Sequence, residues 1–245
     1  MGKIITVTSG KGGTGKTTTV AAIASCLAVL EYRTLCLDFD AGLRNLDLAL
    51  GMTDFTVMDY GDVLNNRMEL EAACSESPLI QNLFFLSAPA EKDHDESDIE
   101  AFKEMFETIR SEFDFCLIDS PPGIGAGFKL AHCNTNMSII VTKGELPSIR
   151  DAVRTASIIR ASGVNNLRLL VNRVKPSTFR LMKTTIDDIV DITGVQLLGI
   201  VREDKCIPRA LHEGTPLVRY KKLKSAYNFL GAARRTTGED VPLHY

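Results

Sequence analysis

Residues 4–18 read Ile-Ile-Thr-Val-Thr-Ser-Gly-Lys-Gly-Gly-Thr-Gly-Lys-Thr-Thr, and no other part of the chain constrains its architecture as tightly. An apolar, β-branched run comes first. Gly10 to Thr17 then fits the spacing G-x-x-x-x-G-K-[ST], and a helix-forming stretch follows over 15–30. Strand, glycine-rich turn and helix are the setting in which this spacing holds phosphate. Glycines at 10, 12, 13 and 15 permit backbone angles that a Cβ forbids and let main-chain N–H groups close around an anion. The helix N-terminus adds positive potential. The loop residues Gly10, Lys11, Gly12, Gly13, Thr14, Gly15, Lys16, Thr17 and Thr18 are therefore expected to bind nucleotide. Lys16 should reach the β and γ phosphates, and the Thr17 hydroxyl should ligate Mg²⁺.

The remaining sequence supports the architecture that this loop requires. Further apolar runs at 34–38, 83–86, 115–119, 137–142, 167–172 and 197–201 alternate with helical stretches. Continuous apolar strands separated by helices are how a parallel sheet covered on both faces reads. Helices are expected at 98–111, 148–162, 177–192 and 221–235. The first of these should open on a capping box, Ser97 with Glu100, and bury Ile99, Phe102, Phe106 and Ile109. The reading is α/β: one P-loop NTPase domain over 1–245 with seven to eight mainly parallel strands, and a flexible tail at 236–245. A length of 245 residues with 44% hydrophobic and 24% charged residues suits one such domain and excludes a disordered or fibrous chain. No apolar run approaches the ~20 residues of a membrane span. Six cysteines, Cys26, Cys36, Cys74, Cys116, Cys133 and Cys206, form no C-x-x-C pair and read as reduced core thiols.

Two aspartate-ended strands add chemistry to the loop. The second strand closes on Asp38-Phe39-Asp40, and alternation puts both carboxylates on one side. Another strand, Phe115-Cys116-Leu117-Ile118-Asp119, ends the same way before Ser120-Pro121-Pro122-Gly123. Ligands in such folds bind at the carboxyl ends of the strands. The Asp38–Asp40 pair there suits Mg²⁺ and a water nucleophile, and Asp119 is a candidate to hold Mg²⁺.

Lys11, a second lysine opening the loop in Lys11-Gly12-Gly13-Thr14-Gly15-Lys16-Thr17-Thr18, is the mark of a deviant Walker A loop. On it the chain resembles the MinD/ParA family of dimerising ATPases. The run from Asp38 to Asp47, DFDAGLRNLD, is similar to switch I of the MinD branch, and it lacks the continuation usual in ParA. The resemblance implies that Lys11 crosses a nucleotide sandwich to the partner's phosphates and that Asp40 orients the attacking water. It implies that Asp38 serves the Mg²⁺ shell, that Asp119 holds Mg²⁺ and that Asn172 contacts the base. Asp151 would pair with Lys11 across the dimer, or else stabilise its own helix N-terminus. ATP and Mg²⁺ are the implied ligands. The implied partners are a second copy of the chain and division-inhibitor and activator proteins of the Min type.

The resemblance also implies a terminal membrane-targeting helix, but 236–245 holds Glu239, Asp240 and Pro242 and does not read as one. Residues 219–235 carry six basic and no acidic side chains, with Tyr220, Leu223, Tyr227 and Leu230 at helical spacing. They read either as a surface for anionic lipid or as a final helix packed on the domain. Residues 1–125 hold 9 basic and 21 acidic side chains, and 126–245 hold 19 and 10. The basic half would also suit nucleic acid, as in a ParA-like partition ATPase.

Overall fold

The computed structural model describes residues 1–40, 45–53, 58–89, 95–220 and 224–243. Eight strands form one sheet: β1 (Lys3–Thr8), β2 (Thr34–Asp38), β3 (Ser75–Glu76), β4 (Leu83–Leu86), β5 (Phe115–Asp119), β6 (Met137–Thr142), β7 (Leu167–Val174) and β8 (Gln196–Arg202). Their order is β3-β4-β2-β5-β1-β6-β7-β8, and every neighbouring pair is parallel except β3 with β4. All seven expected strands are present. The added one, β3, is two residues long and has no periodicity to detect. Its residues Ser75 and Glu76 pair antiparallel with Phe85 and Phe84.

Helices cover both faces. They are α1 (Lys16–Val29), α2 (Leu46–Leu50), α3 (Tyr60–Leu64), α4 (Leu70–Ala73), α5 (Ile99–Glu112), α6 (Ala126–His132), α7 (Leu146–Ala161), α8 (Pro176–Met182), α9 (Ile186–Thr193), α10 (Cys206–His212) and α11 (Ala226–Thr237). Helix α1 is buried without interruption from Thr19 to Ala28, so it has no polar face. An α-helix apolar all round is a core element, and here it fixes the phosphate loop rigidly to the sheet. On the other face α5 buries Phe102, Met105, Phe106 and Ile109. Phe39 packs into this layer, 5.3 Å from Phe102 and 5.1 Å from Tyr60 between ring centroids. Each such buried side chain contributes roughly 1.5–3 kcal/mol. Anchoring Phe39 on this face leaves its neighbours Asp38 and Asp40 for the other.

Several local expectations are corrected. The capping box at Ser97 does not form. Residues Glu96–Asp98 make a 3₁₀ turn, α5 starts at Ile99, and Glu100 pairs with Lys103 at 2.7 Å instead. The single helix expected over 177–192 is two, α8 and α9. Lys183 ends α8 at φ 49°, and Thr185 with Asp188 makes a capping box that starts α9. The Thr185 N–H donates to Asp188 at 2.7 Å and Asp188 N–H to the Thr185 hydroxyl at 3.1 Å. The run 219–235 is not one amphipathic helix. Leu217–Arg219 is a 3₁₀ turn, 221–223 lie outside the described residues, and α11 buries Phe229, Ala232, Ala233 and Thr236. Of the apolar set at helical spacing, Tyr220 and Leu230 pack partly buried against the core, whereas Tyr227 is 80% exposed. The helix also runs past 235 to Thr237, two residues into the expected tail. Arg235 then holds the segment beyond it, donating to the carbonyls of Val241 at 2.9 Å and Pro242 at 2.6 Å, and to Leu198 of β8 at 2.9 Å. The expected acidic loop at 91–98 lies mostly outside the described residues.

Cys26, Cys36 and Cys116 are buried and all six cysteines are free. Burial pushes the Cys26 thiol up to about 12, so it is an inert core group. No helix among the described residues is long and apolar enough to cross a membrane.

Buried His132 ends α6. Its Nδ1–H donates to the Phe128 carbonyl at 2.7 Å, while Nε2 has no partner among the described residues. Burial lowers its pKa from 6.5 to about 4. The unfolded chain therefore takes up the proton first as pH falls. This stabilising contribution is complete above pH 6.5 and is lost as pH falls towards 4, an effect of about 3 kcal/mol. The variant His132→Gln keeps a donor but does not titrate. Thermal melts between pH 7 and 4.5 should show a smaller drop in Tm for His132→Gln than for the wild type.

Candidate functional site

The phosphate loop joins β1 to α1 at the carboxyl edge of the sheet. Two of its glycines are required by close approach. A Cβ on Gly10 would lie 2.6 Å from Asp151 Cβ and 2.6 Å from the Asp151 carbonyl oxygen, because α7 presses on the loop there. A Cβ on Gly15, whose φ is +94°, would lie 2.3 Å from Asn172 Nδ2. That amide nitrogen donates to the Thr14 carbonyl at 2.8 Å, and Asn172 is only 4% exposed. Asn172 thus braces the loop from the end of β7. Beyond Gly12 and Gly13 a Cβ would meet nothing within 4 Å. The loop's outer face therefore opens onto a cleft of about 410 Å³, a size that suits a nucleotide.

Asp38 and Asp119 are register partners at the ends of β2 and β5, and are 2% and 1% exposed. One Asp38 oxygen accepts the Asp40 N–H at 2.8 Å. Lys16 Nζ sits 2.5 Å from Asp119 Oδ1. Burial, then the neighbouring Asp119, raises the Asp38 pKa to about 7. Burial also raises that of Asp119, opposed by the charge of Lys16 and by hydrogen bonds from Lys16 and Thr17. Two deeply buried carboxylates side by side, with one lysine between them and the cleft, form a site short of positive charge. Mg²⁺ characteristically takes one or two carboxylates together with substrate phosphates. The donor set of Thr17, Asp38 and Asp119 fits a divalent cation that arrives with a nucleotide.

The expected residues mostly converge. Gly10 to Thr18 and Asp40 line the cleft, with Pro122 and Gly123 facing them. Lys11 is exposed at the rim. Asp151 packs on Gly10 in the second turn of α7. Residues 41–44 of the switch-like run lie outside the described residues. Leu48 of α2 and Leu211 of α10 also line the cleft and were not expected. Both helices are too short for a periodic signal.

The CobQ/CobB/MinD/ParA nucleotide binding domain profile matches residues 5–217. The septum site-determining protein MinD of Synechocystis sp. is 37% identical over 244 residues, covering 99% of this chain and 92% of the relative. A chain of the MinC:MinD cell division protein complex of Aquifex aeolicus matches with a TM-score of 0.90 at 33% identity, covering 99% of this chain and 98% of that one. The septum site-determining protein MinD of Pyrococcus horikoshii, solved with Mg-ADP, matches with a TM-score of 0.82 at 30% identity, covering 96% of each chain.

Proposed function

The chain belongs to the CobQ/CobB/MinD/ParA nucleotide-binding family, on its MinD branch, and from that membership we propose that it is an Mg²⁺-dependent ATPase switch that helps to place the division septum. The observation that carries this reading is that Lys16, which lines the cleft with Lys11 and Asp40, is joined to Asp119 and through it to the buried Asp38–Asp119 pair behind the loop. Main-chain N–H groups of 10–17 would hold the phosphates. Lys16 would leave Asp119 for the β and γ oxygens, and Thr17, Asp38 and Asp119 would hold Mg²⁺. The metal, when bound, would neutralise charge on the transferring phosphoryl group. Asp40 would align the attacking water.

Lys11, exposed at the rim, would reach the phosphates of a second copy and so tie hydrolysis to dimerisation, with Asp151 as its counter-charge across the interface. Asp151 lies within the loop's own contact layer, which favours coupling of α7 to nucleotide state. Partners of the MinC type, and an activator, would read the surface assembled by the dimer. Of the six basic side chains in 219–235, Arg219, Arg234 and Arg235 are engaged within the chain. Contact with anionic lipid there would rest on Lys221, Lys222 and Lys224.

The test uses Lys16→Ala and Lys11→Ala. The first should abolish ATP binding. The second should keep ATP binding within about threefold, lose the ATP-induced dimer in sedimentation velocity, and lower turnover by roughly 10³-fold, as removal of a trans cation does. ATP-dependent pelleting with anionic vesicles should be lost with the dimer. Unchanged hydrolysis in Lys16→Ala would refute the reading. DNA retention with a steep salt dependence, in place of pelleting, would favour the partition-type alternative.

A further inference from the structure

Ser9 stands between β1 and the loop glycines and lines the cleft with them. It is nonetheless only 7% exposed. The strand before it is fixed on both sides, Val7 to Asp119 of β5 and Thr8 to Ile140 of β6. From this anchored position the Ser9 hydroxyl donates to the Lys11 carbonyl at 3.0 Å. The bond spans two residues and closes a small turn around Gly10, a local use of the serine side chain. Asp151 presses on Gly10 from the α7 side, where a Cβ would lie 2.6 Å from it, so the turn cannot slide that way.

The next peptide, Lys11–Gly12, has two orientations open to it. Gly12 is exposed, and a Cβ there would meet nothing within 4 Å. Gly13 follows with φ +74°. Glycine tolerates either sign of φ, so rotating the peptide costs little at this point. A trans peptide points its C=O and the following N–H in opposite directions. With the Lys11 carbonyl turned in to the buried Ser9 hydroxyl, the Gly12 N–H is turned away from it. With the peptide rotated, the carbonyl would face outward instead, and it would repel an anion that an N–H holds.

We infer that Ser9 is a positioning residue for the phosphate loop: its hydroxyl sets the Lys11–Gly12 peptide so that the Gly12 N–H donates to phosphate and the Lys11 side chain leaves the loop at the rim. This rests on the nucleotide reading of the cleft and deepens it. Ser9 touches neither phosphate nor water in this role. It acts through one peptide, on affinity by way of the Gly12 N–H and on turnover by way of the Lys11 ammonium.

The experiment is calorimetric titration of the full chain with Mg·ATP, together with single-turnover hydrolysis. The proteins are the wild type, Ser9→Ala, Ser9→Thr, Lys11→Ala, Ser9→Ala/Lys11→Ala and Lys16→Ala. Ser9→Ala should weaken Mg·ATP about three- to twentyfold, as misdirecting one neutral donor does. It should lower turnover about ten- to hundredfold through a displaced Lys11. Its Tm should fall by no more than about 4 °C, the loss of one hydrogen bond in a chain of this size. Ser9→Thr keeps the hydroxyl and should bring binding and turnover back to within about twofold of the wild type. In the Lys11→Ala background Ser9→Ala should still weaken ATP, but should lower turnover by less than about twofold more, because the side chain it positions is gone. A serine that only stabilised the fold would show no such coupling. The inference is overturned if Ser9→Ala binds ATP as the wild type does, if a folded Ser9→Thr binds no better than Ser9→Ala, or if the turnover losses of Ser9→Ala and Lys11→Ala multiply in the double variant. Unchanged ATP binding in Lys16→Ala would instead remove the underlying nucleotide reading.

Discussion

Replacing Gly15 by alanine should weaken ATP binding by more than about 100-fold, equivalent to about 2.7 kcal/mol. Its φ of +94° is a strained conformation for any residue with a Cβ, and the new methyl would lie 2.3 Å from Asn172 Nδ2. The amide must withdraw, leaving the Thr14 carbonyl without its 2.8 Å donor. A buried polar group left unpaired costs about 1–3 kcal/mol. The loop whose N–H groups should converge on phosphate then loses both its turn and its brace. The double variant Gly15→Ala/Asn172→Ala separates the two effects. Removing the amide should recover part of the lost Tm, because the clash is gone, and almost none of the affinity. If both recover together, the loop is not shaped in the way described.

Asp38→Asn should stabilise the nucleotide-free protein while abolishing turnover. Asp38 is buried next to Asp119, and its pKa is raised from 3.8 to about 7. A carboxyl whose pKa is raised by folding holds more protons folded than unfolded, so it contributes an instability that is absent below pH 3.8, grows as pH rises, and is complete above 7. The magnitude is on the order of 2–4 kcal/mol. Asparagine retains the oxygen that accepts the Asp40 N–H. Melts of the two proteins should coincide near pH 4, diverge in favour of the variant up to pH 7, and run parallel above it. Mg·ADP should raise the wild-type Tm and leave that of the variant almost unmoved. A variant less stable than wild type at pH 7.5 would contradict the burial argument. Two carboxylates destabilise the resting protein and await a counter-ion, so the site trades resting stability for metal affinity.

The phosphate loop, the strands and both aspartate-ended strands could be read from the sequence because each is a local pattern. Residues 10–17 carry their own spacing, and apolar runs such as 115–119 are continuous. What escaped was set by tertiary context. Nothing local shows that Gly10 is a glycine because Asp151, far along the chain, packs on it. Asn172 was read as a base contact, and its bond to Thr14 crosses 158 positions. The split of α8 from α9 was locally encoded in Thr185 and Asp188 but hidden inside a longer helical periodicity. Of the apolar set at 220–230, Tyr220 and Leu230 pack partly buried against the core, and Tyr227 is left out because Phe229, Ala232, Ala233 and Thr236 form the buried face of the same short helix.

Neither margin of the sheet is available for a foreign strand. One ends on the two-residue β3, turned antiparallel and carrying Glu76. Along the other, the Leu198 carbonyl takes Arg235 and the Arg202 N–H takes Asn228. Bare margins zip together when molecules are crowded, and charge, brevity or coverage prevents it. For the proposed switch, protected margins leave the nucleotide-bearing faces as the route of association, one that hydrolysis would undo, as it could not undo a cross-strand fibre.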